Sequence, residues 1–171
     1  LWQRVPLPEL DRSGVKALFK IYGDRQTGHL FAVGMKGVII GDIGQGWTQL
    51  PVISANNTPP SVEDFVSLWG NGEHLLAVGG RSNGILARWN GQEWVSQMLS
   101  GIPGLNGVWV DESALSTVVG TRGSAMTVPT LSYDFSRERT NTPLVLHATW
   151  GYGNHIWAVG GSLDSSPPWE G

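Results

Sequence analysis

The 171-residue sequence has no cysteine. This absence excludes disulfide bonds, thiolate catalysis and zinc sites that use cysteine ligands. A cysteine-free chain fits a reducing compartment as well as an exported bacterial protein, so the absence alone assigns no location.

Charge is also scarce. Charged residues make up 15% of the chain, the formal net charge is −3, and lysine and arginine form no tract. Proteins that bind nucleic acid rely on concentrated positive charge, so no nucleic-acid partner is expected. No uninterrupted run of about 18 apolar residues occurs, and we therefore expect no membrane span.

Glycine and tryptophan are abundant instead, with 24 and 9 residues. Glycines interrupt every window that could form an amphipathic helix, and few apolar residues follow the helical spacing. Short apolar runs bounded by Gly, Asn and Asp are typical of strands joined by tight turns. The sequence therefore predicts an all-β fold.

A short phrase that closes in glycine occurs four times, at intervals of about 40 to 45 residues. The closing glycines are Gly34, Gly79, Gly120 and Gly160. An aromatic residue ends the apolar run upstream of each glycine, at Tyr22, Trp69, Trp109 and Trp150. Another aromatic residue opens a later run, at Trp47, Trp94 and Phe135. Each unit thus offers four short strands, the spacing of a β-propeller blade.

The repeat divides the chain into one propeller domain of about four blades. Blade 1 is predicted at 14–52, blade 2 at 62–100, blade 3 at 104–140 and the inner strands of blade 4 at 143–171. Residues 1–8 are predicted to supply the outer strand of the fourth blade and to close the ring. The alternative is a fragment of a propeller with six to eight blades. Gly79 is expected to need a positive φ or to touch a neighbouring blade.

The residues from Ala77 to Trp94 resemble the repeats of bacterial β-propeller proteins of the Asp-box (BNR) type. The stretch from Asp42 to Trp47 keeps the Asp, Gly and Trp of an Asp-box but lacks its leading Ser. The spacing of Gly84, Trp89 and Gly91 is similar to that of tectonin-type lectin repeats. The resemblance implies a propeller fold and an exported, periplasmic or cell-surface location.

One cation lies between glycines in each of the first three predicted loops that join second and third strands, at Lys36, Arg81 and Arg122. The fourth such loop offers Asp164. On one face of a propeller these cations would form an anion-binding site, since Arg matches carboxylates and phosphates in two-pronged hydrogen bonds. The simpler interpretation is that polar loop tips are only solvated. The linkers 51–64 and 136–143 are predicted to lie on the same face.

The tryptophans allow two interpretations. Their rings could stack on sugars, but residues that recur at one position of every repeat are typical of packing between blades. Trp157 and Trp169 do not follow the repeat and stay open. His29, His74 and His155 each precede a closing glycine by five residues. Together with His147, they are expected to be structural, and no metal or other cofactor is predicted.

An enzyme of the sialidase type has little support in the sequence. Arg4-Val5-Pro6 resembles the Arg-Ile-Pro of those enzymes, and Tyr22 and Tyr133 are present. However, no nucleophile, acid/base partner and arginine cluster can be assembled from the motifs. We expect a non-enzymatic binding or scaffolding module for a protein or a glycan, with an anionic ligand as one option. The alternative is a lectin or the remnant of a sialidase-like glycoside hydrolase. Neither the ligand nor the oligomeric state follows from the sequence.

Overall fold

The computed structural model describes residues 2–7, 10, 14–55, 63–132 and 134–163. Within these ranges the chain forms four β-sheets and two single turns of 3₁₀ helix, and Leu10 alone is α-helical. The predicted all-β fold is confirmed.

Each sheet is built from strands that follow one another along the chain. The first sheet contains β1 Leu18–Gly23, β2 Leu30–Gly34, β3 Ile39–Asp42 and β4 Trp47–Gln49. The second contains β5 Val52–Ser54, β6 Phe65–Asn71, β7 His74–Gly79, β8 Gly84–Trp89 and β9 Trp94–Leu99. The third contains β10 Leu105–Val110, β11 Leu115–Gly120, β12 Ala125–Pro129 and β13 Ser136–Glu138. The fourth contains β14 Leu146–Tyr152 and β15 His155–Gly160.

Short polar side chains shape the turns between these strands. Asp42 Oδ1 accepts hydrogen bonds from the amides of Gly44 and Gly46, each at 3.0 Å. Asn90 Oδ1 accepts two amides in the same way, both at 2.9 Å. Such local bonds favour turns over continued strands and explain why the apolar runs end at these residues.

The same irregularity occurs at the start of every sheet. We count the strands of each repeat from β1, β6, β10 and β14, which leaves β5 aside. Pairing between these first strands and the second strands shifts register after Leu18, Phe65, Leu105 and Leu146. Each of these four residues lies opposite a closing glycine of the repeat. The sequence repeat is thus matched by a structural repeat, a β-bulge at the same position of each sheet.

The bulge explains why the phrase closes in glycine. A Cβ atom on Gly34, Gly79, Gly120 or Gly160 would collide with the backbone carbonyl oxygen that precedes the first strand of the same sheet. The residue after each glycine donates its amide to that same oxygen, at 2.8 to 3.1 Å. Gly79 is therefore required by a close approach within its own sheet, and not by a positive φ or a neighbouring sheet.

The sheets pack side by side through their first strands, with β1 against β6, β6 against β10, and β10 against β14. The aromatic residue of each first strand contacts the next one. Ring centroids are 5.4 Å apart for Tyr22 and Trp69, 5.0 Å for Trp69 and Trp109, and 5.6 Å for Trp109 and Trp150. We call these four residues the aromatic row.

Two apolar cores fill the spaces between consecutive sheets. Phe31 and Val33 of the first sheet are fully buried against the second, in a cluster with Phe65, Leu68 and Trp94. In the second core, Leu76 and Val78 occupy the same repeat positions as Phe31 and Val33, and pack against the third sheet. The first and second sheets thus each insert alternate residues of their second strand into the next sheet.

The predicted closure of a ring by residues 1–8 is not seen. Residues 2–7 contain no strand, and Val5 and Leu7 lie beside β1 instead. Among the described residues, β15 pairs only with β14. Residues 164–171, which end the predicted inner strands of the fourth blade and include Trp169, lie outside the described residues.

The linker at 51–64 begins with an unexpected strand. β5 runs parallel to β9 on the outer edge of the second sheet, where the amide of Trp94 donates to Pro51 O at 2.9 Å and Ala55 donates to Ser96 O at 2.8 Å. The linker after the first sheet thereby pairs with the outer edge of the second sheet, which removes a row of unpaired backbone groups.

Asp24 links the first two sheets at the edge that carries the turns between first and second strands. Its buried carboxylate accepts hydrogen bonds from the amide and hydroxyl of Thr27, at 2.8 and 2.6 Å, and from the amide of Gly72, at 3.1 Å. Burial alone would raise the pKa of Asp24, but these hydrogen bonds outweigh it and lower the pKa below its usual 3.8.

Substituting Gly79 tests the close approach. We expect Gly79→Val to destabilise the protein by about 3 kcal/mol, because the backbone carbonyl of Asp64 has nowhere to move. Gly23→Ala is the control, since its added Cβ would meet only the flexible end of Leu30. Urea unfolding measures both, and equal losses for the two variants would contradict the assignment.

Asp24 should make stability depend on acidity. A carboxyl whose pKa is lowered by folding stabilises the native state above its unfolded pKa, and this contribution disappears as the pH falls below about 4. Asp24→Asn should cost about 1.5 kcal/mol at pH 7 and flatten the decline of stability between pH 4 and 2. Urea titrations across this range would refute the role of Asp24 if both proteins declined with the same slope.

Candidate functional site

The loops between second and third strands all lie at one edge of the sheets. We define the tip edge as residues 34–37, 80–84 and 120–124. Met35–Gly37 and Thr121–Gly123 each form one turn of 3₁₀ helix, and both turns leave an extended closing glycine. The two tips therefore share one backbone path although their side chains differ.

Lys36 and Arg122 hold the same unusual conformation in their tips. Their φ and ψ angles are 57° and 32° for Lys36, and 56° and 36° for Arg122. A left-handed conformation at a non-glycine residue costs on the order of 1 kcal/mol and persists only where the surroundings impose it. In the second sheet Gly80 takes the positive φ, at 89°, and Arg81 follows it.

Each tip is fastened to the segment that leads into the next sheet. The amide of Lys36 donates to Asp64 Oδ1 at 2.9 Å. Gly84 donates to Ile102 O, and Gly123 donates to Leu144 O, both at 2.7 Å. The tips therefore lie in a row along consecutive sheets. Hydrogen bonds from their backbone amides hold them in place, while the side chains of Lys36, Arg81 and Arg122 are exposed.

Asp64 joins two of the tips. Besides the Lys36 amide, its carboxylate accepts a hydrogen bond from Arg81 Nη2 at 3.1 Å, and the two side chains form an ion pair. Glu63 Oε2 accepts the Arg81 amide at 3.1 Å. The bond from the Lys36 amide, helped by Arg81, lowers the pKa of Asp64.

The three predicted cations are therefore treated unequally. The Arg81 side chain is paired with Asp64 and stays 77% exposed, whereas Lys36 bonds Asp64 through its backbone amide. Arg122 is exposed and makes no side-chain hydrogen bond or ion pair within the described ranges. Asp164, the predicted acid of the fourth tip, lies outside the described residues. Two acids, Glu63 and Asp64, thus offset part of the positive charge of the tip edge.

Sequence reasoning missed both acids. The residue that precedes the first strand is Ala17 in the first sheet, Gly104 in the third and Val145 in the fourth, and it is acidic only in the second. A charged residue that breaks a repeat position was the available signal.

The recurrent aromatics lie away from the tip edge. The first three rings of the aromatic row are half-buried between sheets, whereas Trp150, at its end, is 51% exposed. Trp94 is fully buried, with its ring 5.8 Å from that of Phe31. Trp47 is half-buried beside a small cluster on the outer face of the first sheet. Trp157, which is 51% exposed, stacks against Trp150 at 6.0 Å.

The histidines do not form a common centre. His29 and His74 line one hollow of about 380 Å³ at the edge opposite the tips. His155 lies near Trp157, with ring centroids 5.8 Å apart, and His147 Nε2 is 3.1 Å from Gly161 O. The described residues contain no group of three or more His, Cys, Asp or Glu side chains that could hold a metal ion.

The residues that suggested a sialidase are also separated in role. The Tyr22 hydroxyl donates to Gly70 O at 2.6 Å and thereby joins the first two sheets. Burial, with the Asp24 carboxylate nearby, raises the pKa of Tyr22 to about 12, which disfavours the phenolate that a nucleophile requires. Arg4 lies beside Lys16 on the N-terminal side of the first sheet. Tyr133 is not among the described residues.

No protein-family model matches the chain, and no curated protein and no solved structure matches it at a significant level. Within the part of the chain that the structure describes, no helix is long and apolar enough to cross a bilayer.

Removing Arg81 and removing Asp64 should affect the stability of the protein to different extents. Arg81→Ala should change the unfolding free energy by less than about 0.5 kcal/mol, because an exposed ion pair contributes little. Asp64→Ala should cost about 1 kcal/mol more, since the Lys36 amide also loses its acceptor. Thermal and urea unfolding would contradict this arrangement if Arg81→Ala were the more damaging change.

Proposed function

We propose that the protein is a non-enzymatic binding or scaffolding module of the β-propeller type, which recognises an anionic protein or glycan at its tip edge. The observation that carries the proposal is the row of tips on one edge. Their backbone frame is repeated, while the side chains presented are Met35 and Lys36 in one tip, Arg81 in the next, and Thr121 with Arg122 in the third. A rigid scaffold with variable loops is the usual arrangement of a recognition surface.

The propeller assignment is supported by the way the sheets repeat. Consecutive sheets place their inner strands β1, β6, β10 and β14 against one another, and each of these strands begins with the same bulge. Blades around an axis meet in this order, inner strand to inner strand. An exported or cell-surface location, implied by the resemblance to secreted repeat proteins, belongs to the same proposal.

The preference for an anion is supported by the state of the two arginines. Arg122 is exposed and has no side-chain partner among the described residues, so all of its donors are available. Arg81 is bound by Asp64 through Nη2 at 3.1 Å, and its side chain is 77% exposed. A planar guanidinium can bind a carboxylate or sulfate with two parallel hydrogen bonds. Lys36 adds a point charge in the same row.

A neutral-glycan lectin is the second candidate, and a different observation favours it. The rings of Trp150 and Tyr152 lie nearly parallel, at 6°, and Tyr152 is 74% exposed. Flat exposed rings are suitable for stacking on sugar faces. This platform lies on the fourth sheet, so substitutions can distinguish it from the tip edge.

Arrays of acidic glycans, neutral glycans and acidic peptides test the proposal. We expect acidic ligands to bind, to weaken as salt rises, and to lose about tenfold or more in affinity in the Arg81→Gln/Arg122→Gln double variant. Arg25→Gln is the matched control, because Arg25 lies in the turn at the opposite edge and should leave binding unchanged.

Other outcomes assign the function elsewhere. Neutral glycans whose binding is lost in Tyr152→Ala, and kept in the arginine variant, would replace the tip edge with the aromatic platform. Turnover of a fluorogenic sialoside would refute the non-enzymatic proposal. A wild-type protein that binds no acidic probe on either array would refute the anion site.

A further inference from the structure

One face of the fourth sheet is exposed, and within the described residues no further sheet packs against it. In the first and second sheets, two alternate residues of the second strand point toward the next sheet. Phe31 and Val33 do so in the first sheet, Leu76 and Val78 in the second, and all four are fully buried. The corresponding residues of the fourth sheet are Trp157 and Val159, which are 51% and 63% exposed.

The first sheet exposes the opposite kind of face. Its residues Leu18 and Ile21 correspond to Phe65 and Leu68 of the second sheet, which are fully buried by Phe31 and Val33. In the first sheet the same positions are 39% and 61% exposed. They line a hollow of about 340 Å³ together with Ala32, Ile40 and Trp47.

The hollow matches a site that is filled inside the molecule. Trp47 occupies the repeat position of Trp94, and the ring of Phe31 packs against Trp94 at a centroid distance of 5.8 Å. The first sheet thus has a receptor for a Phe31-like side chain, and the fourth sheet presents Trp157 at the Phe31 position. Val5 and Leu7 line part of the hollow.

We propose that a second copy of this chain docks head to tail, so that Trp157 and Val159 of one copy enter the hollow beside Ile21 of the other. The contact continues a series of three internal contacts between consecutive sheets, with the same repeat positions facing each other. Both faces are apolar, and burying them removes exposed tryptophan, isoleucine and valine from water. The two faces differ, so the interface is heterologous and leads to a closed ring or a longer assembly.

This inference does not depend on what the tip edge binds, because Trp157, Val159 and the residues that line the hollow do not belong to the tip edge. We assign a second copy of the chain to the hollow because the two free faces correspond to the two sides of the contact that recurs between consecutive sheets. Closure of one chain on itself would join the same faces and is therefore a defined outcome of the test.

Sedimentation velocity at micromolar concentrations tests the proposal with two variants. Wild type should assemble into dimers or larger species. Trp157→Lys removes the inserting face and Ile21→Lys removes the receiving face, so each variant alone should be monomeric. An equimolar mixture should form a one-to-one dimer, because one partner keeps an intact inserting face and the other an intact hollow. Leu131→Lys, at a site that is 82% exposed elsewhere on the surface, is the control and should assemble like wild type.

Each other result overturns the proposal. A monomeric wild type would do so, and iodide quenching would then show whether Trp157 is buried by closure of the chain on itself. Variants that still assemble alone would place the interface elsewhere. Monomeric variants that fail to combine, while circular dichroism shows that both are folded, would exclude a head-to-tail contact.

Discussion

The structure depends on one close approach, in which the closing glycine of each second strand lies against a carbonyl oxygen at the start of its sheet. The approach leaves no room for a side chain at Gly34, Gly79, Gly120 or Gly160. It creates the bulge in each first strand and orients the amide that follows. Because the geometry occurs in every sheet, the loop that follows the glycine always leaves in the same direction.

Because of this fixed direction, the backbone of each tip is held in place while the tip side chains can vary. The backbone around each tip is held by bonds to its own sheet and to the segment before the next one, as with Gly123 and Leu144. Lys36 and Arg122 both hold left-handed conformations within this backbone frame. The aromatic row holds neighbouring sheets together at the first strands, whereas the side chains of Lys36, Arg81 and Arg122 are exposed and lie outside the cores.

Local and periodic features could be predicted from the sequence, and long-range ones could not. The strands, the tips and the row from Tyr22 to Trp150 all follow from spacing along the chain. The parallel pairing of β5 with β9 depends on an edge that another part of the chain leaves free. The role of Asp64 likewise depends on two tips that are distant in sequence. Ring closure by residues 1–8 is a long-range expectation of this kind, and Val5 and Leu7 lie beside the first sheet instead.

The aromatic row has a consequence for how the molecule responds to light. Its rings follow one another at 5.0 to 5.6 Å, with planes tilted by 36° to 58°. Chromophores this near to each other share their excited states, so neighbouring rings absorb as coupled pairs with a circular-dichroism signal of their own. That signal varies with the angle between rings. The circular-dichroism signal of the aromatic row therefore reports how each sheet is rotated relative to the next.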